Sequence, residues 1–187
     1  MAIGKLPTSL RINGKDYEIR SDFRVCLNII QAFTDPDLSK TEKVEVMLVC
    51  LYKDRVDIPD EDMQEAVDKA IWFLDCGQVS EHATAKKPLY DFEQDEQIIF
   101  SAVNKVAGKE TRSCDYIHFW TFMGYFNEIG RGTFATVVSI RDKQRRHQKL
   151  DKYERDFIRD NPDLVKLKRK YSEEEKDEMK MLEDLLG

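Results

Sequence analysis

The sequence predicts a mainly α protein: a helical bundle-like domain with an N-terminal β-hairpin and a C-terminal helical extension. Three observations carry this. Only 5 Pro and 8 Gly occur in 187 residues, most of them where helices should stop. From Phe23 onward apolar residues recur at about 3.6-residue spacing, the pattern of a helix with one buried face. Before Phe23 they alternate on either side of Asn13-Gly14, and Asn-Gly supplies the two positive φ angles of a type I′ hairpin turn.

The hairpin occupies residues 8–20. Because a lone hairpin is marginal in water, it should pack on helices or pair with another chain. Asp22 can cap a first helix carrying Phe23, Cys26, Leu27, Ile30 and Phe33, which stops at Asp35-Pro36. Ser39 with Glu42 forms a capping box ahead of Val44, Met47, Leu48 and Leu51. Ile58-Pro59-Asp60 opens a third helix, with Gly77 expected at the left-handed position just past its end. A polar loop follows over residues 78–90. Asp91 and Gln94 start a fourth helix that Gly108 ends, Ser113 starts a fifth that closes at Gly130, and Thr133 starts a sixth. Asn161-Pro162 and Ser172 with Glu175 mark two helix restarts in the tail. The expected division is a domain over residues 1–148 and a charged helical extension over 149–187, the latter with few core contacts.

Charge is unevenly distributed. The chain holds 30 Lys+Arg and 36 Asp+Glu, a net charge of -6. Residues 141–170 are basic by 6, residues 171–187 are acidic by 5, and the remainder carries -7. Aromatic residues make up 10%, which argues against disorder throughout. No run approaches the roughly 18 consecutive apolar residues that span a bilayer, and the N-terminus lacks the apolar stretch of a signal peptide. A soluble, intracellular-type chain is expected. The cysteines, Cys26, Cys50, Cys76 and Cys114, form no CxxC pair, and a reducing compartment without disulfides is the expected setting.

Motifs that carry chemistry are absent: no GxSxG, no GxxxxGK[ST], no GxGxxG after a strand and no HExxH. The expectation is therefore a non-enzyme with no catalytic residues and no cofactor. Gly130-Arg131-Gly132-Thr133 reads as a helix end followed by a new cap rather than a phosphate loop. The best metal candidate is Cys114 with His118, spaced i,i+4 on one helix face, with Cys76 and His82 elsewhere to make four tetrahedral zinc ligands, but nothing in the sequence brings the pairs together and no metal is expected. Asp57, Asp60, Glu61 and Asp62 read as the acidic start of a helix. Arg141, Lys143, Arg145, Arg146, Lys149 and Lys152 could contact phosphates. Interleaved Asp142, Asp151, Glu154 and Asp156 instead suggest a solvated helix with internal ion pairs.

Six of the 19 aromatics fall within residues 116–126. On one continuous helix Tyr116, Phe119, Trp120, Phe122, Met123 and Phe126 cover an arc of about 160°, with Tyr125 outside it. Such a helix reads as central core, part of whose surface can bind a partner's apolar helix, since aromatics and Met are enriched at interface cores. Trp72 is placed opposite the face formed by Met63, Val67, Ala70, Phe73 and Leu74, where it can anchor an interface. The candidate partner-binding residues are thus Trp72, Tyr116, Phe119, Trp120, Phe122, Met123, Tyr125 and Phe126.

Several stretches resemble the phage gene-product-fifteen family of siphophages and prophages. They are Asp91-Phe92-Glu93-Gln94-Asp95 with Ile98-Ile99-Phe100-Ser101-Ala102-Val103-Asn104, and Phe119-Trp120-Thr121-Phe122-Met123-Gly124-Tyr125-Phe126-Asn127-Glu128. Gly132-Thr133-Phe134 leading into Val137-Val138-Ser139-Ile140-Arg141 and Lys149-Leu150-Asp151-Lys152-Tyr153-Glu154 extend the similarity. The resemblance implies a tail assembly chaperone, a small helical protein that coats and solubilises the tape measure protein before the tail tube polymerises around it. It further implies self-association, a second tail assembly chaperone as partner, residence in the host bacterial cytoplasm and absence from the mature virion, with no membrane partner. The alternative from another class is a phage-encoded nucleic-acid-binding or regulatory protein using the basic 141–170 helix.

Overall fold

The computed structural model describes residues 3–78, 88–168 and 170–186. Asn13 and Gly14 take φ of 45° and 80°, as the turn requires. The chain therefore folds back so that β1 (Ser9–Ile12) pairs antiparallel with β2 (Lys15–Glu18), Leu10 opposite Tyr17 and Ile12 opposite Lys15. Nine α-helices follow among the described residues: α1 (Phe23–Thr34), α2 (Lys40–Leu51), α3 (Met63–Leu74), α4 (Glu96–Ala107), α5 (Phe119–Asn127), α6 (Thr133–Arg145), α7 (Lys152–Asp160), α8 (Pro162–Val165) and α9 (Glu173–Leu186). The expected mainly α class with an N-terminal hairpin is what forms.

Contacts gather these elements into two compact units, one made of residues 3–78 with 170–186, the other of residues 88–168. The grouping differs from the boundary expected at residue 148. Residues 149–168 belong with the helices before them, and only α9 joins the N-terminal elements. Packing follows buried contacts, and Val165 of α8 is 3% exposed.

In the first unit β1 packs on α3, α1 on α2 and α2 on α3. Leu10, Ile12, Tyr17 and Ile19 turn one hairpin face inward, joining buried Phe23, Cys26, Ile29, Met47, Leu48, Leu51, Ala70 and Phe73. Burying side chains of this size stabilises by about 1.5–3 kcal/mol each, which is what a four-residue strand pair lacks alone. The hairpin thus packs on helices. Polar ties fix its position. Ile19 bridges to Tyr52, the Arg20 amide donates to Leu51 (2.7 Å), and the Arg20 guanidinium donates to the carbonyls of Val49, Cys50, Tyr52 and Lys53. A cation at the end of α2 satisfies carbonyls that have no partner within the helix and opposes its negative dipole end. The buried Tyr52 hydroxyl donates to the Ala66 carbonyl on α3 at 2.8 Å.

Helix ends match expectation where caps are local and depart from it where they are not. Asp22 caps α1, and Ser39 with Glu42 forms the capping box of α2. Ser172 and Glu175 exchange bonds at the start of α9, whose Glu173 amide donates to Asp37 at 2.8 Å. Pro162 opens α8, again as expected. At the end of α3 the left-handed residue directly past the cap is Cys76 (φ 54°), with Gly77 (φ 79°) one position later. The amides of Cys76 and Gly77 bond back to Phe73 and Trp72, a Schellman motif displaced by one residue from the expected glycine position. The loop expected over residues 78–90 lies mostly outside the described residues.

In the second unit α4 packs on α5 and α6, and α8 joins α6 to α7. Asp91 accepts from the amides of Glu93 and Gln94, which makes a turn rather than a helix, and α4 starts only at Glu96. The fifth helix is also shorter than expected: Thr111–Ser113 is a single 3₁₀ turn, and α5 begins at Phe119, capped by the Nδ1 of buried His118. α5 ends at Asn127, and Gly130 is not left-handed.

Candidate partner-binding surfaces

α5 sorts its aromatics by burial. Phe119 and Phe122 are fully buried and Phe126 is 9% exposed. The Phe126 ring lies 5.2–5.6 Å from those of Tyr90, Phe92 and Phe134, and Phe122 lies 5.7 Å from Phe100. These three phenylalanines hold the unit together and cannot meet a partner, which corrects their assignment as candidate contacts. Trp120, Met123 and Tyr125 are half-buried and remain reachable. Tyr116 is 53% exposed but precedes the helix, so it extends no helical stripe. A single 3.6-residue period over residues 116–126 does not exist, because His118 starts the helix.

The same break removes the basis of the Cys114–His118 pairing, since the two residues share no helix. His82 lies outside the described residues. Among the described residues no three His, Cys, Asp or Glu side chains cluster to hold a metal. The acidic residues Asp60, Glu61 and Asp62 form a 3₁₀ turn leading into α3.

Most of the basic side chains of the 141–170 segment are occupied by the protein itself. Arg141 is 5% exposed and uses all five of its N–H donors. It pairs bidentately with Asp95 (2.6 and 2.9 Å), and donates to the carbonyls of Val165 (2.8 Å), Leu164 (2.9 Å) and Leu89 (3.0 Å). Asp95, 1% exposed, also accepts from the Asp91 amide at 3.0 Å. Lys143 bonds Glu154 at 2.5 Å, holding the lysine above its usual pKa mainly through that hydrogen bond. Arg145 and Arg146 both pair with Asp142. Arg141 is thus a structural hub rather than a phosphate contact. Its role was invisible in the sequence, although Asp95 lies inside one of the resembling stretches. Lys149 and Lys152 stay exposed.

Among the described residues, grooves border both units. In the first unit, residues 5–11 and one stripe of α3 (Glu65, Asp68, Lys69, Trp72) enclose about 740 Å³. Trp72 lines that groove half-buried rather than projecting freely. In the second unit, α4 and the α5–α6 turn enclose about 440 Å³ floored by Ile98, Val106, Ile129 and Phe134. A further groove of about 600 Å³ between α6 and α7 is lined by Thr136, Ser139, Tyr153 and Phe157. The sequence pointed to Trp72 but not to Leu6, Lys69 or Val106, whose exposure depends on what packs beside them.

Comparison with known protein families matches residues 3–172 to the Bacteriophage Gp15 protein family. The chain belongs to that family. No curated protein and no solved structure matches it. As a Gp15-family member it is a bacteriophage protein, and among its described residues no helix is long and apolar enough to cross a membrane.

Proposed function

We propose that this Gp15-family protein is a non-enzymatic tail assembly chaperone that coats and solubilises the tape measure protein before the tail tube polymerises. The reading rests chiefly on the family match, which spans 170 of the 187 residues. Half-buried Trp120, Met123 and Tyr125 on α5, and the groove against α4 with its apolar floor and its polar rim of Ser101, Lys105 and Glu128, are surfaces suited to an amphipathic helix. The net charge of -6 keeps the covered complex soluble. In this role the protein acts in the host cytoplasm without cofactor or metal, self-associates along its client, works beside a second chaperone and leaves before the virion matures. Weak contacts repeated over many copies permit exchange for tube subunits. The rival nucleic-acid reading is disfavoured because Arg141, Lys143, Arg145 and Arg146 are already paired.

Co-expression tests the proposal. A tape measure fragment that is insoluble alone should become soluble with this protein and co-purify with it. Trp120→Ser with Tyr125→Ser should reduce that protection while helix content by circular dichroism stays unchanged. Equal fragment solubility with and without the protein sinks the idea.

A further inference from the structure

The 740 Å³ groove of the first unit has an unusual wall: it runs along a strand edge. The Ile19 amide donates to Thr8 at 3.0 Å, so Thr8 and Ile19 form a hydrogen-bonded pair. Pairs alternate along an antiparallel ladder, which makes Leu10 with Tyr17 and Ile12 with Lys15 the other bonded pairs. Ser9 and Arg11 consequently point their N–H and C=O groups away from β2, and nothing among the described residues takes them up. Both residues line the groove, facing α3 across it.

The charges bordering this edge are unequally engaged. Glu65 accepts from the Asn13 amide at 2.9 Å, and Asp68 accepts from Gln64 at 3.0 Å. Lys5, Arg11 and Lys69 have no carboxylate partner among the described residues. Three cations without a carboxylate partner stand in this groove against two carboxylates that already accept hydrogen bonds, so an open strand edge with a positive excess of one fits an extended chain carrying carboxylates. A second copy pairing through the same edge would bring its Lys5 and Arg11 against these, and like charges on an edge oppose such pairing.

We propose that β1 accepts an extended acidic peptide segment as a third strand, through main-chain bonds to Ser9 and Arg11. Alternate side chains of the segment lie against Leu6 and Trp72, and its carboxylates meet Lys5, Arg11 and Lys69. This is strand addition, in which the backbone supplies affinity and the groove supplies selectivity. It is independent of the tape measure reading, because it stands or falls on a peptide titration whatever the solubility assay gives.

The probe is an end-blocked peptide of alternating glutamate and valine, about six residues long, the length of a typical strand. It is titrated into the ¹⁵N-labelled full chain. The amides of Ser9 and Arg11 and the Trp72 indole should shift together, and exchange of the two amides with solvent should slow. The same peptide N-methylated at alternate residues should not bind, and a lysine–valine peptide should bind far more weakly. Arg11→Glu, at an exposed site, should weaken the acidic peptide about tenfold, the loss of one charge-assisted contact. The proposal is overturned if the acidic peptide leaves these amides unmoved, or if the N-methylated or lysine peptide binds equally. It is also overturned if the Ser9 and Arg11 amides shift with protein concentration alone, which would place a second copy on the edge.

Discussion

Arg141 offers the sharpest test of how the second unit is held. Arg141→Met keeps the aliphatic stem but removes five hydrogen bonds at once: two to Asp95 and one each to Leu89, Leu164 and Val165. Asp95, 1% exposed, is left as a carboxylate with only the Asp91 amide. Removing one partner of a buried pair costs about 3–5 kcal/mol, because the remaining charge is neither solvated nor compensated. The three orphaned carbonyls alone account for about 3 kcal/mol at roughly 1 kcal/mol each. Adding Asp95→Asn removes the stranded charge but not the orphaned carbonyls. The double variant should therefore be less destabilised than Arg141→Met alone. Urea unfolding followed by circular dichroism measures both, and hydrogen exchange at α8 and at the start of α4 localises the loss. A single-variant cost below about 1 kcal/mol would refute the hub. So would a double variant less stable than the single.

Two further outcomes follow from the first unit. Arg20→Leu strips the end of α2 of the guanidinium that serves four carbonyls, and should lower stability by about 1–2 kcal/mol. Faster exchange in the last turn of α2 should accompany it, and an unchanged melt would argue that water replaces the cap. Burial pushes the Cys26 thiol up, and pushes Cys76 up to about 11, so neither presents much thiolate near neutrality. Iodoacetamide should leave Cys26 unmodified until the unit unfolds, and the rate at Cys76 should climb about tenfold per pH unit between 7 and 9 without a plateau. Because both pKa values are raised in the folded chain, the stability they contribute is complete below the ordinary thiol value of 9.0 and declines at higher pH. Mass spectrometry of the alkylated peptides reads both sites, and rapid native labelling of Cys26 would contradict its burial.

Features encoded within a few residues were legible from the chain alone. The Asn13-Gly14 turn, the Asp22 cap, the Ser39–Glu42 and Ser172–Glu175 boxes and the Pro162 restart depend on side chains bonding their own backbone neighbours. The errors have a common origin. Asp91 and Ser113 are cap-type residues that make turns short of the helix, while Asp95 and His118 take the cap positions and are buried. Periodicity over residues 116–126 joined a loop to a helix, and so counted Phe119, Phe122 and Phe126 with a surface they do not share. Cys76 occupies a left-handed position usually given to glycine because the Schellman bonds to Trp72 and Phe73 hold it there.

The sequence by itself determined the helical class, the hairpin and its turn, most local caps and the resemblance to a phage family, since each is written in residue type and short spacing. Tertiary structure alone decided which aromatics are core and which are reachable, and it turned Arg141 from a surface cation into a buried anchor. It also left the outer edge of β1 open beside α3. Burial and pairing of these groups depend on residues distant in the chain, 52 positions away in the bond from Arg141 to Leu89, and no local pattern encodes such a distance.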